Sequence, residues 1–158
     1  MTEHADGIVV GVDGSEASVA ALRWAAEQAR TLGAAVVAVH AWQPSTAVLA
    51  PYAPTAGRPT AAEERVRAAE LLASTVREAF GPRLGADVRA VVAEGLPARV
   101  LLQHARGALL LALGRTPHDQ GALPAVGSVS RACLRHATVP VVTVPAPAKN
   151  PAGTALAR

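Results

Sequence analysis

Short, continuously apolar segments rich in β-branched residues recur along the chain, and helical patterns separate them. We interpret five of these segments as buried strands, at residues 7–12, 35–42, 86–93, 108–113 and 139–144. Four helical segments lie between them, at residues 15–33, 60–80, 97–106 and 128–136. The strand side chains are apolar without alternation, as is typical of strands covered on both sides. The pattern predicts an α/β domain, a three-layer sandwich with a mostly parallel sheet and helices on both faces.

Several residues predict where the elements begin and end. Ser15 or a neighbour can cap the first helix, which stops at Gly33. The capping box Thr60-Ala-Ala-Glu63 starts the second helix, after a proline-rich loop at 43–59 with no periodicity. Pro97 suits the first turn of the third helix. Pro140 falls within the last strand, which predicts either an edge position for that strand or a position whose N–H its own sheet does not need.

The chain's 158 residues suit one folded domain, which we place at residues 1–145. The remaining residues, 146–158, are rich in Pro and Ala, and we expect a disordered tail.

Cys133 is the single cysteine, which excludes an internal disulfide and favours a reducing, cytoplasmic setting. The first residues lack a signal-peptide pattern, and no apolar run approaches the roughly 18 residues that span a membrane.

The charge pattern is weakly basic. The formal net charge is +3, all cations except Lys149 are arginines, and these are spread along the sequence without a cluster. Aromatic residues make up 3% of the chain, too few to stack many bases. We therefore predict no nucleic-acid partner and no membrane partner.

Parallel sheets bind ligands beyond the carboxyl ends of their strands. The turn at Asp13, the loop after Trp42 and the loop opened by Gly114 follow such ends, and we expect them to form one crevice. The sequence around Asp13, G-V-D-G-S-E, matches neither the dinucleotide fingerprint nor the Walker loop. The Asp13 carboxylate can accept hydrogen bonds from ribose hydroxyls or an adenine amine, or it can cap the following helix.

Gly127-Ser128 opens the last helix. The first N–H groups of a helix have no intrahelical partner and attract anions, and the Ser128 and Ser130 hydroxyls can add donors. The alternative is that Ser128 is simply the N-cap.

Other reactive residues form no recognisable site. The five histidines fall on different elements without the spacing of a helical zinc site, so we predict no metal centre. Cys133 lies among apolar helix residues, as a buried small side chain would. No G-x-S-x-G motif accompanies Ser128 or Ser130, and we predict no catalysis.

The segments IVVGVDGSEASVAALRWAAEQA, VVAVHAW, VAEGLPARVLLQHA, LALGRT and VGSVSRACLRHATVPVVTV together resemble a bacterial universal stress protein. The resemblance covers about residues 7–144. It implies a five-stranded sheet of order 3-2-1-4-5, of the adenine nucleotide alpha hydrolase-like kind. It also implies a homodimer formed through the last strand, Val139–Val144. Many members of that family bind ATP, and others do not.

The ATP-binding members share the pattern G-x2-G-x9-G-[S/T], which Gly114 and Gly127-Ser128 match in spacing. The resemblance therefore implies an ATP or ADP site, with or without Mg²⁺ on the phosphates. It assigns its residues to three parts: at the adenosine end Val12 and Asp13, beside the adenine Val39, His40 and Ala41, and near the phosphates Gly114, Arg115, Gly127, Ser128, Val129 and Ser130.

Pro117 stands where the pattern has its second glycine, followed by His118-Asp119-Gln120. Proline has no N–H and a fixed φ, so it can supply neither a donor nor a positive φ. One lost donor to a charged oxygen costs roughly 1.5–3 kcal/mol, about 10- to 150-fold in affinity. Two functions follow: a regulatory protein that binds an adenine nucleotide, or a nucleotide-independent dimer that acts through protein partners.

Overall fold

The computed structural model describes residues 6–48, 52, 56–82, 87–116 and 127–147. Its strands are β1 Gly7–Gly11, β2 Ala35–Trp42, β3 Val88–Glu94, β4 Leu110–Arg115 and β5 Val141–Pro145. Its α-helices are α1 Glu16–Leu32, α2 Ala61–Phe80, α3 Pro97–Ala105 and α4 Ser128–His136. All strand pairs are parallel and the order is β3-β2-β1-β4-β5. The predicted fold class is confirmed.

The central strand β1 is buried along its whole length. Alternate side chains point to opposite faces, so Ile8 and Val10 join one core cluster and Val9 joins the other. Helices α1 and α2 cover the first cluster, and α3 and α4 cover the second. The continuously apolar strand pattern is therefore explained by two cores on the two faces of one sheet.

Four of the five strands have bounds one or two residues from the predicted ones, and the structure explains the shifts of two of them. Strand β4 ends at Arg115, two residues later than predicted, because its last residues pair with β5 as far as Arg115 and Pro145. Strand β5 begins after Pro140, so the prediction that Pro140 lies inside the strand was wrong. The Pro140 carbonyl accepts the Leu111 N–H at 2.9 Å, a bond that needs no N–H from the proline. The predicted edge position of β5 is confirmed.

The helix termini follow local chemistry. Ser15 caps α1 by accepting the Ser18 N–H at 3.1 Å, and α1 ends at Gly33, whose φ of 65° is left-handed. Thr60 caps α2 by accepting the Glu63 N–H at 3.2 Å, but within the described residues Glu63 makes no return bond. The loop after Trp42 is also less irregular than predicted. It holds a 3₁₀ turn, Ser45–Val48, where the Ser45 N–H donates to Glu64 of α2 at 2.9 Å.

No helix in the described part of the chain is both long and apolar enough to cross a membrane.

Candidate functional site

A cleft of about 170 Å³ lies at the carboxyl ends of β1, β2 and β4. It brings together eight of the residues predicted from the sequence: Val12, Asp13, Val39, His40, Ala41, Gly114, Val129 and Ser130. Arg115, Gly127 and Ser128 do not line it. The loop after Trp42 does not line it either within the described residues, because Ser45 is bonded to α2 instead.

Asp13 is held at the rim of the cleft by the turn that starts α1. The Ser15 N–H donates to Asp13 Oδ1 at 2.9 Å, and the Ser15 hydroxyl donates to the same oxygen at 2.5 Å. Burial favours the neutral carboxyl, but hydrogen bonds from Ser15 and Ser18 outweigh that effect and lower the pKa of Asp13. The helix cap is Ser15, so Asp13 is free of the capping role and presents an ionised carboxylate whose Oδ2 receives neither Ser15 bond.

His40 links the ends of the two central strands. Its Nδ1 lies 2.7 Å from the Val12 carbonyl oxygen, which can only accept, so the ring donates from Nδ1. In the neutral ring Nε2 is then an acceptor. Val12 in turn donates its N–H to the Val39 carbonyl at 2.8 Å. These two bonds hold the strand ends together below Asp13.

The opposite side of the cleft is the first turn of α4. Its N-cap is Gly127, which has no side-chain cap bond, so the alternative that Ser128 is the N-cap was wrong. The first intrahelical bond runs from the Arg131 N–H to the Gly127 carbonyl at 2.9 Å. The N–H groups of Ser128, Val129 and Ser130 therefore have no helical acceptor, and the helix dipole makes this end electropositive.

Gly114 owes its identity to packing. A Cβ at Gly114 would lie 2.4 Å from the carbonyl carbon and 2.6 Å from the carbonyl oxygen of Ala17, in the first turn of α1. Its φ is not positive. The next residue, Arg115, is half-buried, and its Nε has no hydrogen-bond partner in the described part of the chain.

Sequence reasoning missed several residues that line the cleft: Gly11, Ser15, Ser18, Pro97, Leu101, Leu113 and Thr116. Ser15 could have been found, because it lies two residues from Asp13 and the i, i+2 bond to an aspartate is a local turn motif. Pro97 and Leu101 could not, because only the packing of α3 against the sheet brings them there.

A larger hollow, of about 500 Å³, opens at the opposite end of the sheet between α1, α2 and the start of β2. It contains none of the predicted site residues. Its residue Arg23 donates to the last carbonyls of α2, Ala79 O at 3.2 Å and Glu78 O at 3.1 Å. That arginine stabilises the end of a helix, which favours the smaller cleft as the functional one.

Within the described residues, no group of three or more His, Cys, Asp or Glu side chains could hold a metal ion. Cys133 is fully buried in the core, and burial raises the pKa of its thiol.

The loop residues Pro117, His118, Asp119, Gln120 and Gly121 lie outside the described residues, so the effect of Pro117 stays a prediction.

The chain is similar to known proteins in both sequence and structure. The sequence pattern of the universal stress protein family matches residues 5–145. A universal stress protein of Mycolicibacterium smegmatis is 34% identical over 143 residues, which cover 87% of this chain and 47% of that relative. The chain spans about half the length of the curated relatives it matches.

Two solved structures are also similar. A universal stress protein family member from Burkholderia pseudomallei has 25% identity and a TM-score of 0.65, over 92% of this chain and all of that one. The universal stress protein from Archaeoglobus fulgidus in complex with dAMP has 26% identity and a TM-score of 0.61, over 91% of this chain and 99% of that one. Together with the sequence match, these likenesses show that the chain belongs to the universal stress protein family.

Proposed function

We propose that this chain is a regulatory protein of the cytoplasm that binds an adenine nucleotide, ATP or ADP, in the cleft and acts by binding, not by catalysis. One observation carries the proposal: an ionised acceptor and a set of open donors face each other across the cleft. Asp13 offers Oδ2 on one side, and the first turn of α4 offers N–H groups without a helical acceptor on the other. A nucleotide has hydroxyl donors on its ribose and negative charge on its phosphates, so it can interact with both sides of the cleft.

The size of the cleft suggests how the nucleotide would lie. A volume of about 170 Å³ is below the ~300–1,000 Å³ common for ligand pockets, so the cleft would hold only part of the molecule. We place the base near Ala41 and Val39, and the ribose at Asp13. The phosphates would lie outside, at the start of α4, with any Mg²⁺ carried on them.

The similarity to the Archaeoglobus fulgidus protein supports the class of ligand. That structure is a complex with dAMP, and its fold aligns with nearly all of this chain. An adenine base and a single phosphate suit the same division of the cleft into an acceptor side and an anion side.

The test is calorimetry with ATP, ADP and AMP on the full chain, together with mass analysis of any nucleotide that copurifies. We expect Asp13→Ala to weaken binding about tenfold or more, because the ribose loses a charged acceptor. Asp6→Ala, at the other end of the β1 strand, is the matched control and should bind as the wild type does. If calorimetry detects no heat of binding at millimolar nucleotide, the proposal is wrong.

A second candidate is a homodimer through Val139–Val144 that acts through protein partners, independent of nucleotide. Its support is that β5 is an edge strand, so one row of its backbone groups is unpaired within the described chain. Pairing with its copy across a two-fold axis would cover that edge.

The register of β5 gives a sharp test of the dimer. Pro140 and Ala146 bond to β4, and every second residue faces the same neighbour, so Thr143 directs its N–H away from β4. Thr143→Pro should therefore abolish the dimer and leave the sheet intact. Val142→Pro, which removes an inward N–H, should instead destabilise the fold. Sedimentation that gives only a monomer for the wild type at micromolar concentration would contradict the dimer.

A further inference from the structure

The two helices α3 and α4 lie side by side on one face of the sheet, and their outer sides are exposed. Buried residues such as Leu101 and Cys133 face the core. The exposed residues at helical spacing are Arg99, Gln103 and Arg106 on α3 and its C-cap, and Arg131, Leu134 and Arg135 on α4. We call these six residues the basic ridge.

The basic ridge carries four arginines and no acidic residue. In the whole sequence Asp119 is the single acidic residue after Glu94, and it lies outside the described residues. The helices on the other face are mixed by contrast, since α1 and α2 together carry six glutamates and five arginines. The fold therefore collects on one face four of the five arginines that the sequence spreads over positions 99–135.

Three of these four cations are not neutralised by any described residue. Arg99, Arg106 and Arg135 form no ion pair with any described residue, and neither helix offers a carboxylate. A face that keeps uncompensated like charges gains most from a partner of opposite charge.

The side chains of the basic ridge point to the chemistry of that partner. Arginine, unlike lysine, is enriched at protein interfaces and binds carboxylates in a bidentate way. Leu134 is 50% exposed and lies beside Arg131 and Arg135, where it offers an apolar contact that a phosphate backbone would not use. Neither helix has a Phe, Tyr or Trp side chain on which a base could stack.

We propose that the basic ridge is a docking surface for an acidic protein segment that carries apolar side chains between its carboxylates. The surface is separate from the cleft, because none of its six residues lines the cleft. The proposal is therefore independent of nucleotide binding.

The test uses a labelled peptide that repeats Glu-Leu-Leu-Glu, and a copy with Gln in place of Glu, measured by fluorescence anisotropy on the full chain. We expect only the acidic peptide to bind, with an affinity that falls as salt rises. The double variant Arg99→Glu/Arg135→Glu should lose about tenfold in affinity, because two attractive contacts become repulsive. Leu134→Ser should lose a smaller factor at every salt concentration.

The matched control is Arg65→Glu/Arg77→Glu, which reverses two exposed arginines on α2 and should leave the affinity unchanged. The variant Arg99→Gln/Arg135→Gln removes the two charges without reversing them, and we expect an intermediate loss of affinity. This variant replaces the reversed one if the reversed one does not fold. A loss of affinity in the α2 control as large as that in the ridge variant would overturn the proposal. So would equal binding of the Gln peptide, or tighter binding of duplex DNA or of phosphatidylglycerol vesicles than of the acidic peptide.

Discussion

The two sides of the cleft are built in opposite ways. On the α1 side, Ser15 both caps the helix and donates to Asp13, so its polar groups are engaged before any ligand arrives. On the α4 side, Gly127 brings no side chain, and the first N–H groups have no helical acceptor and no side-chain cap among the described residues. The difference shows that a turn can orient its own acceptor, while a helix whose N-cap has no side chain leaves its first donors to other partners.

The difference extends to packing. Gly114 fits against Ala17 with no room for a methyl group, whereas a Cβ at Gly127 would meet no atom within 4 Å. Both glycines match the family's phosphate-loop pattern, but the structure gives only the first a steric reason to be glycine.

The largest effect should therefore come from adding one methyl group on the packed side. Gly114→Ala forces α1 and β4 apart, and we expect it to lower the free energy of unfolding by about 3 kcal/mol. Gly127→Ala is the matched control and should change it by less than about 1 kcal/mol. Urea denaturation of both variants measures the difference, and similar values would show that the two sides are packed alike.

A smaller loss should follow from Ser15→Ala. The substitution removes the N-cap of α1 and the hydroxyl bond to Asp13 but keeps the backbone N–H bond to Asp13, and we expect a cost of about 1–2 kcal/mol. Ser15→Thr retains the hydroxyl and should recover most of the stability. If thermal unfolding of Ser15→Ala matched the wild type, the hydrogen bonds of this turn would contribute nothing to the packed side.

The pH dependence of stability tests the same turn. The pKa of Asp13 is lower in the folded chain than in the unfolded one, so its contribution is present above the unfolded value of about 4 and is lost as pH falls through the folded value. Because Asp13 is exposed at the rim, we expect less than about 1 kcal/mol. The difference between wild type and Asp13→Asn should vanish at low pH. A difference that persists there would assign it to packing.

Much of this architecture was predictable from local patterns. The apolar strands, the cap at Ser15 and the stop at Gly33 depend on neighbours in sequence, and their predictions agree with the structure within a few residues. The end of β4 was not predictable, because it is set by pairing with β5, far along the chain.

The sequence predicted which residues line the site better than it predicted why each residue is there. Asp13 and Gly114 do meet at the cleft, but Gly114 is fixed by contact with Ala17, which no local pattern reveals. The arginines of the basic ridge look scattered in sequence, since those of α3 and those of α4 come onto one face only when the two helices pack on the same side of the sheet. Such contacts arise from topology, and sequence spacing does not encode them directly.

The smallest change in stability should come from Gly127→Asp, which would make the open side resemble the packed one. The backbone at Gly127, with φ −61° and ψ 163°, suits an N-cap aspartate, and we expect a gain of a few tenths of a kcal/mol to about 1 kcal/mol. The same carboxylate would occupy the donors and repel a phosphate, so nucleotide affinity should fall about tenfold or more.

Gly127→Ser separates these two effects, because it caps the helix without adding charge. It should show the gain in stability with a smaller loss of affinity, measured by thermal unfolding and calorimetry on the same samples. If Gly127→Asp bound nucleotide as tightly as the wild type, the anion would lie elsewhere and the open helix end would have no part in binding. A gain in stability at the cost of affinity would mean that the missing cap on α4 is what keeps its donors free for a ligand.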